Sequence, residues 1–335
     1  MPQYVICARK IGKDGRFQPS PGPIQFLKVP DGADQMEPGH KIPPEAWVGE
    51  VRSLADGDTD PRTGDGGDVL IFIHGYNNDS PAILKRQEYL SEDLKAEGFK
   101  GIVVSFDWPS DNSTLNYLED RGDAADTALF LVEKGIKLLA RGQGRGCETN
   151  IHLLGHSTGA YVILEAFIQA EKREDLFKSN WRVGQVALIG GDIASANLGE
   201  GDQWAQPLFG RCDRVTNYFS GHDFVLAVSN AKRLGTSPRA GRVGAAHPSN
   251  PKVADVDCTR YFEGLDPKKC RFQGTFAHSW HIGNPVFARD LAMTLTAGMD
   301  RAALPTRLRG PEGRFQLQDA ARPTHETNWA MAHSE

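Results

Sequence analysis

Along this chain the apolar residues fall into short unbroken runs separated by stretches of helical periodicity. Asp68-Val69-Leu70-Ile71-Phe72-Ile73 shows no alternation, the pattern of a strand buried on both faces of a parallel sheet. Gly101 to Phe106, Asn150 to Leu154, Val186 to Gly190 and Val215 to Phe219 read the same way, so five buried strands are predicted. Between the second and third runs, Ala125, Ala128, Leu129, Val132, Ile136 and Leu139 recur at helical spacing, with Asp123, Asp126, Glu133 and Lys137 off that face. That spacing predicts a crossover helix. Ala160 to Ile168 is apolar nearly all round and predicts a helix packed inside, against the sheet. Asn284 and Pro285 suit the N-cap and first turn of a last helix over Val286 to Thr296, with Gly298 to stop it. Strands alternating with helices predict an α/β fold with a mostly parallel, doubly wound sheet. Tyr4 to Ala8 and Ile24 to Val29 read as two strands that extend one edge. Gly, Pro, Asp, Ser and Arg dominate 31–67 and 232–252, which read as loops. The expected organisation is one domain over 1–297, with 31–67 as an irregular loop insertion and 298–335 as a C-terminal extension or tail.

Composition narrows the function. The 335 residues are 39% hydrophobic and 24% charged, and 38 Lys+Arg against 43 Asp+Glu leave a formal charge of −5. No basic excess recommends nucleic acid or anionic lipid as the main partner. No run approaches the ~20 apolar residues of a membrane span, so no integral membrane segment is expected. The start, Met1 to Lys10, lacks a basic segment followed by a long apolar one, which favours the cytoplasm unless an export signal precedes it. Five cysteines without a CxxC pair read as idle thiols, although Cys258 and Cys270 are spaced to bridge a loop. Zinc-ligand spacing, GxGxxG after a strand and GxxxxGK[ST] are all missing.

The candidate chemistry starts at Gly155-His156-Ser157-Thr158-Gly159. GxSxG alone is weak, but here it joins a buried strand to an apolar helix, the context in which a serine on a sharp turn points out from the top of a sheet. The following amide, Thr158, and the helix N-terminus then face the same spot, as an oxyanion hole requires. A serine hydroxyl needs a base to attack a carbonyl. His156 is too close in sequence to turn back onto Ser157, His152 lies within a strand, and His325 and His333 are in the tail. His278 and His281 remain, both just before the last helix. The imidazole in turn needs a carboxylate. Asp223 and Asp192 both follow predicted strands, and the order Ser157, Asp223, His favours Asp223. His74-Gly75-Tyr76 ends the first strand and would place the Tyr76 amide as second oxyanion donor, with His74 structural. Asn77, Asn78 and Asp79 read as turn residues rather than cation ligands. Trp108, Phe224 and Trp280 are candidates to line a substrate pocket.

With these residues in view, the sequence resembles the α/β-hydrolases, and within them a largely uncharacterised bacterial branch. His74-Gly75-Tyr76-Asn77, Trp108-Pro109-Ser110, Gly155-His156-Ser157-Thr158-Gly159 and His278-Ser279-Trp280 carry the resemblance, which covers roughly residues 67–297. It implies that His278, in the short His-Ser-aromatic motif, is the base. It also implies that Asp223, followed by the stretch through Arg233 and Pro238-Arg239-Ala240-Gly241, is the acid. Trp280 stands where Tyr is common. The implied activity is hydrolysis of a small-molecule or lipid-like ester through an acyl-enzyme, with no metal and no organic cofactor. The same machinery serves a thioesterase, peptidase or acyltransferase, and a non-catalytic hydrolase-like binding scaffold is the remaining alternative. Only about 20 residues separate Asp192 from the next predicted strand, so no large lid domain and a fairly open site are expected.

Overall fold

The computed structural model describes residues 1–56, 67–110, 117–140, 150–232, 237–246, 250–296 and 298–322. Ten strands form one sheet: β1 Gln3–Ile11, β2 Phe17–Val29, β3 Val69–Ile73, β4 Ile102–Asp107, β5 Ile151–His156, β6 Val183–Ile189, β7 Cys212–Phe219, β8 Val253–Asp257, β9 Arg307–Arg309 and β10 Phe315–Leu317. Their spatial order is β2-β1-β4-β3-β5-β6-β7-β8-β10-β9, parallel except where β2 and β9 pair with their neighbours. Every residue of β3, β4 and β5 is buried, because helices cover both faces of a parallel sheet. The predicted edge strands are β1 and β2. Pro19, Pro21 and Pro23 lie on the outermost strand, where a missing N–H costs no ladder bond and discourages pairing with another chain.

This topology decides where a site can form. From β3 the chain moves to β4 on one side, then returns to β5 on the other side of β3. Loops leaving β3 and β5 therefore diverge and open a crevice at the carboxyl ends of the strands, the usual ligand position in such sheets. Ile73 pairs with Gly155 across that crevice, so His74 to Tyr76 and Ser157 are neighbours by register.

The predicted crossover helix is present as Tyr117–Phe130, continuing through a π-helical stretch, Leu131–Ile136, into Lys137–Ala140. It buries Ala128, Val132, Ile136 and Leu139, as the spacing predicts. The inner helix is Thr158–Glu171, and Asn284 caps Pro285–Thr296 by accepting from the amides of Val286 and Phe287 at 3.1 and 3.0 Å.

Three expectations change. First, 31–67 is not all loop: Pro44–Asp56 is a helix that buries Trp47, Val51 and Ala55 at four-residue spacing, and Trp47 Nε1 donates to the Leu27 carbonyl at 3.1 Å. Three anchors among polar residues were too sparse to override the surrounding Gly and Pro. Second, the segment after 297 is not a tail as far as it is described: β10 continues the sheet beside β8, and β9 forms its edge. Such three-residue strands leave almost no periodicity to read. Third, β8 went unread because it carries Asp255 and Asp257 among only three apolar residues. Helices Phe224–Lys232 and Ala240–Val243 flank part of the stretch read as a loop. Arg233, His325 and His333 lie outside the described residues. Cys258 and Cys270 are free thiols, the former buried. Among the described residues no helix is long and apolar enough to cross a membrane.

Candidate active site

Ser157 sits between the last residue of β5 and the first of helix Thr158–Glu171, at φ 57° and ψ −121°. An L-residue with a side chain seldom adopts this backbone, and holding it there costs about 1–3 kcal/mol. Surrounding hydrogen bonds enforce it: the Ser157 amide donates to the Ile189 carbonyl at 3.0 Å, and its own carbonyl accepts from Asp192 at 3.0 Å. Gly159 is sterically required, and Gly155 is closely packed. A Cβ on Gly159 would stand 2.2 Å from the Ile73 carbonyl oxygen, and one on Gly155 2.8 Å from Ile163 Cδ1. Thr158 is the first residue of the helix, so its amide is among those without an intrahelical acceptor.

His278 and Asp223 arrive from separate segments. Asp223 follows β7 after a short turn, and Leu226 N–H donates to its Oδ1 at 3.0 Å. Its Oδ2 lies 2.6 Å from His278 Nδ1, with side chains 2% and 8% exposed. An ionised carboxylate there takes the Nδ1 proton as a hydrogen bond and leaves Nε2 as the basic nitrogen. Gly190, at φ 52°, ends β6 against this pair: a Cβ on it would be 3.2 Å from Asp223 Oδ2 and from His278 Nδ1. Since Ile189 binds the Ser157 amide, one short loop touches all three residues.

The other two candidates point elsewhere. Asp192 lies 3.4 Å from Arg239 Nε, while the carboxylate on His278 is that of Asp223. His281 is buried, stacked on Trp280 at 4.1 Å between ring centroids, and burial with His278 nearby lowers its pKa to about 3. His156, set aside on sequence grounds, instead holds the segment bearing His278. Burial, and then the nearness of His278 and Arg86, keeps it far below the ordinary histidine range and neutral. Its Nε2 is 3.1 Å from the His278 carbonyl, and the two rings lie 4.8 Å apart.

The turn after β3 lies against Ser157: a Cβ on Gly75 would be 2.8 Å from Ser157 Cβ. Asn78 Nδ2 donates to the carbonyls of Gly75 and Tyr76 at 2.8 and 2.9 Å, which ties the turn together. Asn77 takes φ 55°, a conformation asparagine tolerates, so Asn77 and Asn78 serve as turn residues. His74 is buried, its Nε2 3.1 Å from Asp107 Oδ1, and Trp108 Nε1 donates to its carbonyl at 2.8 Å. Burial outweighs Asp107 and keeps this ring below the usual histidine range. Asp107, Arg9 and Arg86, which complete the surroundings, were missed. Their signal was a charged residue after a predicted buried strand and another after a predicted edge strand, and a lone arginine in a helix that was not read.

The proposed pocket aromatics separate. Trp108 and Trp280 are both 0% exposed and stack on His74 and His281, so they are packing residues without surface to offer a ligand. Phe224, 62% exposed and next to Asp223, is free to meet one. The connection between β6 and β7 holds only short helices, Ser195–Leu198 and Gln206–Arg211, and no large lid. Ser157 and His278 are themselves buried, 8% and 6% exposed. Among the described residues no group of three or more His, Cys, Asp or Glu could hold a metal ion.

Residues 58–294 match the family described as "Alpha/beta hydrolase of unknown function (DUF900)". No curated protein matches the chain. Solved structures with a similar chain include a dienelactone hydrolase from Anabaena variabilis, 14% identical, covering 88% of this chain and 96% of that one at a TM-score of 0.36. A thioesterase of the prodiginine pathway from Streptomyces coelicolor is 15% identical, with 68% and 85% covered and a TM-score of 0.32. Lipase B from Aspergillus fumigatus is 14% identical, with 58% and 48% covered and a TM-score of 0.28.

Proposed function

The chain belongs to this DUF900 family of alpha/beta hydrolases, and from that premise we propose that it is a serine hydrolase cleaving small-molecule or lipid-like carboxylic esters through an acyl-enzyme. In this reading Ser157 is the nucleophile, His278 the base, Asp223 the acid, and the amides of Thr158 and Tyr76 the oxyanion donors. The observation that carries it is the 2.6 Å bond from His278 Nδ1 to Asp223 Oδ2, a pair packed on Gly190, whose neighbour Ile189 accepts from the amide of a serine held at positive φ.

The steps follow from ordinary acyl-transfer chemistry. His278 Nε2 takes the Ser157 hydroxyl proton as Oγ adds to the ester carbonyl, and Asp223 stabilises the imidazolium. The carbonyl oxygen becomes an oxyanion held by the two amides, each such donor being worth about 3 kcal/mol to the transition state. Collapse expels the alcohol, which leaves with the proton from His278. Water, deprotonated by the same nitrogen, then releases the acid and restores Ser157. Nothing but protons moves besides the acyl group.

Labelling with a fluorophosphonate probe, mapped by peptide mass spectrometry, tests the assignment. Modification of Ser157 alone is expected; intact protein that takes up no label rejects it.

The pH dependence should report a single histidine. Catalysis requires His278 unprotonated, so kcat/KM rises with pH on the acid side. Burial keeps His156 neutral, and His281, lowered to about 3, is neutral as well through the working range. The ascending limb of log kcat/KM is therefore expected to have a slope of one. A slope of two in a full pH profile would mean that a second histidine must also lose its proton.

A further inference from the structure

The turn after β3 rests on a buried charge. Arg9, on β1 and outside the 58–294 family match, extends its guanidinium under the turn that follows β3. Its Nε bonds both carboxylate oxygens of Asp107, at 2.8 and 3.0 Å. Nη1 donates to the Ser110 carbonyl at 3.2 Å, and Nη2 to the Asn78 carbonyl at 3.1 Å. Both partners are buried, their side chains 9% and 0% exposed. On its far side Asn78 accepts from Arg86 Nη1 through its side chain, and Arg86 Nη2 continues to the Gln273 carbonyl at 2.7 Å, in the segment leading to His278. Asn78 is thus gripped by its main chain from β1 and by its side chain from helix Ser80–Ala96, while its own Nδ2 bends Gly75 and Tyr76.

A guanidinium with three directed contacts suits this task. Its planar fork satisfies a carboxylate and two carbonyls at fixed angles, whereas an ammonium offers one point charge. Burial alone would push the Asp107 carboxyl up, but Arg9 and His74 outweigh it and hold the carboxyl below its ordinary value. The anchor stays ionised, so the clamp persists across the pH range in which His278 acts.

We propose that Arg9 is a positioning residue of this site: anchored on Asp107, it holds the Asn78 carbonyl and thereby fixes the turn that presents the Tyr76 amide to the oxyanion. The catalytic consequence rests on the serine hydrolase reading above; the mechanical one, immobility of residues 74–79, does not. A sequence search confined to the family-matched span would pass over Arg9, because the strand bearing it comes from the N-terminal hairpin.

The test uses the full chain and three variants, Arg9→Lys, Arg9→Met and the double variant Arg9→Met/Asp107→Asn. The single Met change strands a buried carboxylate and is liable to unfold, whereas the double change removes both charges and keeps an acceptor for His74. Deuterium uptake over 74–79 is expected to rise in the folded double variant, and kcat on a short p-nitrophenyl ester to fall about 10- to 100-fold. That is below the roughly 100- to 1000-fold seen when an oxyanion donor is deleted outright. KM should change less than about threefold, and the ascending pH limb should stay in place, because His278 and Asp223 are untouched. Arg9→Lys should fall between. A double variant with wild-type uptake and wild-type kcat overturns the proposal, as does one that loses Tm while kcat per labelled serine is unchanged. If the wild-type chain neither labels nor turns over ester, the hydrolase reading falls, and the uptake measurement alone decides for or against the clamp.

Discussion

Ser157→Ala is expected to lower turnover of short p-nitrophenyl esters by about three to six orders of magnitude, leaving at most the slow hydrolysis that oxyanion donors and binding support on their own. The loss should appear in kcat. The substrate still meets the same crevice, but no Oγ remains to form the acyl-enzyme. Thermal stability should barely move, because alanine inherits the strained backbone at φ 57°. Ser157→Gly provides a sharper contrast. It removes the same oxygen and also releases backbone strain of about 1–3 kcal/mol, against an added unfolded-state entropy cost of about 0.5–1 kcal/mol. Higher Tm with no activity is therefore expected for glycine, and unchanged Tm with no activity for alanine. Retention of wild-type kcat by Ser157→Ala would remove Ser157 from the reaction.

The second large effect concerns a buried ion pair rather than the proposed nucleophile. Asp290→Ala should destabilise the fold by about 3–5 kcal/mol, enough to take much of the ~5–15 kcal/mol that holds a domain together. Asp290, on helix Pro285–Thr296, and Arg307, in β9, are both 0% exposed. Arg307 Nη2 and Nε reach the two carboxylate oxygens at 2.6 and 2.9 Å, while Tyr218 OH and Thr306 Oγ1 each donate to the carboxylate at 2.6 Å. Removing the acid leaves a guanidinium desolvated without its counter-charge. Asp290→Met with Arg307→Met should recover most of the loss, since neither charge is then buried; urea midpoints of the three proteins check both statements. The pair also has a pH signature. Burial opposes ionisation of Asp290, but Arg307 and the hydroxyl donors more than compensate and hold its carboxyl below the ordinary value. A carboxyl lowered by folding contributes stability above its unfolded pKa, about 3.9, and that contribution is lost as pH falls through the folded value. Asp290→Ala should therefore flatten the acid limb of stability.

Both predictions bear on how the chain could be read. Ser157 was legible because everything that bends it is local: a buried run, two glycines at ±2 and an apolar helix follow one another within twenty residues. Asp290 and Arg307 were not legible as a pair, because each is an ordinary charged residue on its own element. Only their burial, 17 residues apart in sequence, makes them matter. Trp108 and Trp280 erred in the opposite direction, since an aromatic on a loop at the site edge has the same sequence signature whether it faces solvent or the core. Phe224 had that signature too and stands exposed.

The sequence by itself determined the parallel α/β architecture, the sharp turn at Ser157 and a short field of partners, two acids and two histidines, because periodicity and turn chemistry act within a few neighbouring residues. Tertiary structure alone decided which acid meets which histidine, that His156 meets the segment bearing His278 and that Arg9 reaches under the turn after β3. It also drew residues beyond 297 into the sheet. Those outcomes depend on distances between segments as many as 122 residues apart, as for His156 and His278. Only strand order, register and burial bring such residues together, and burial turns an ordinary charge or hydrogen bond into one the fold cannot lose cheaply.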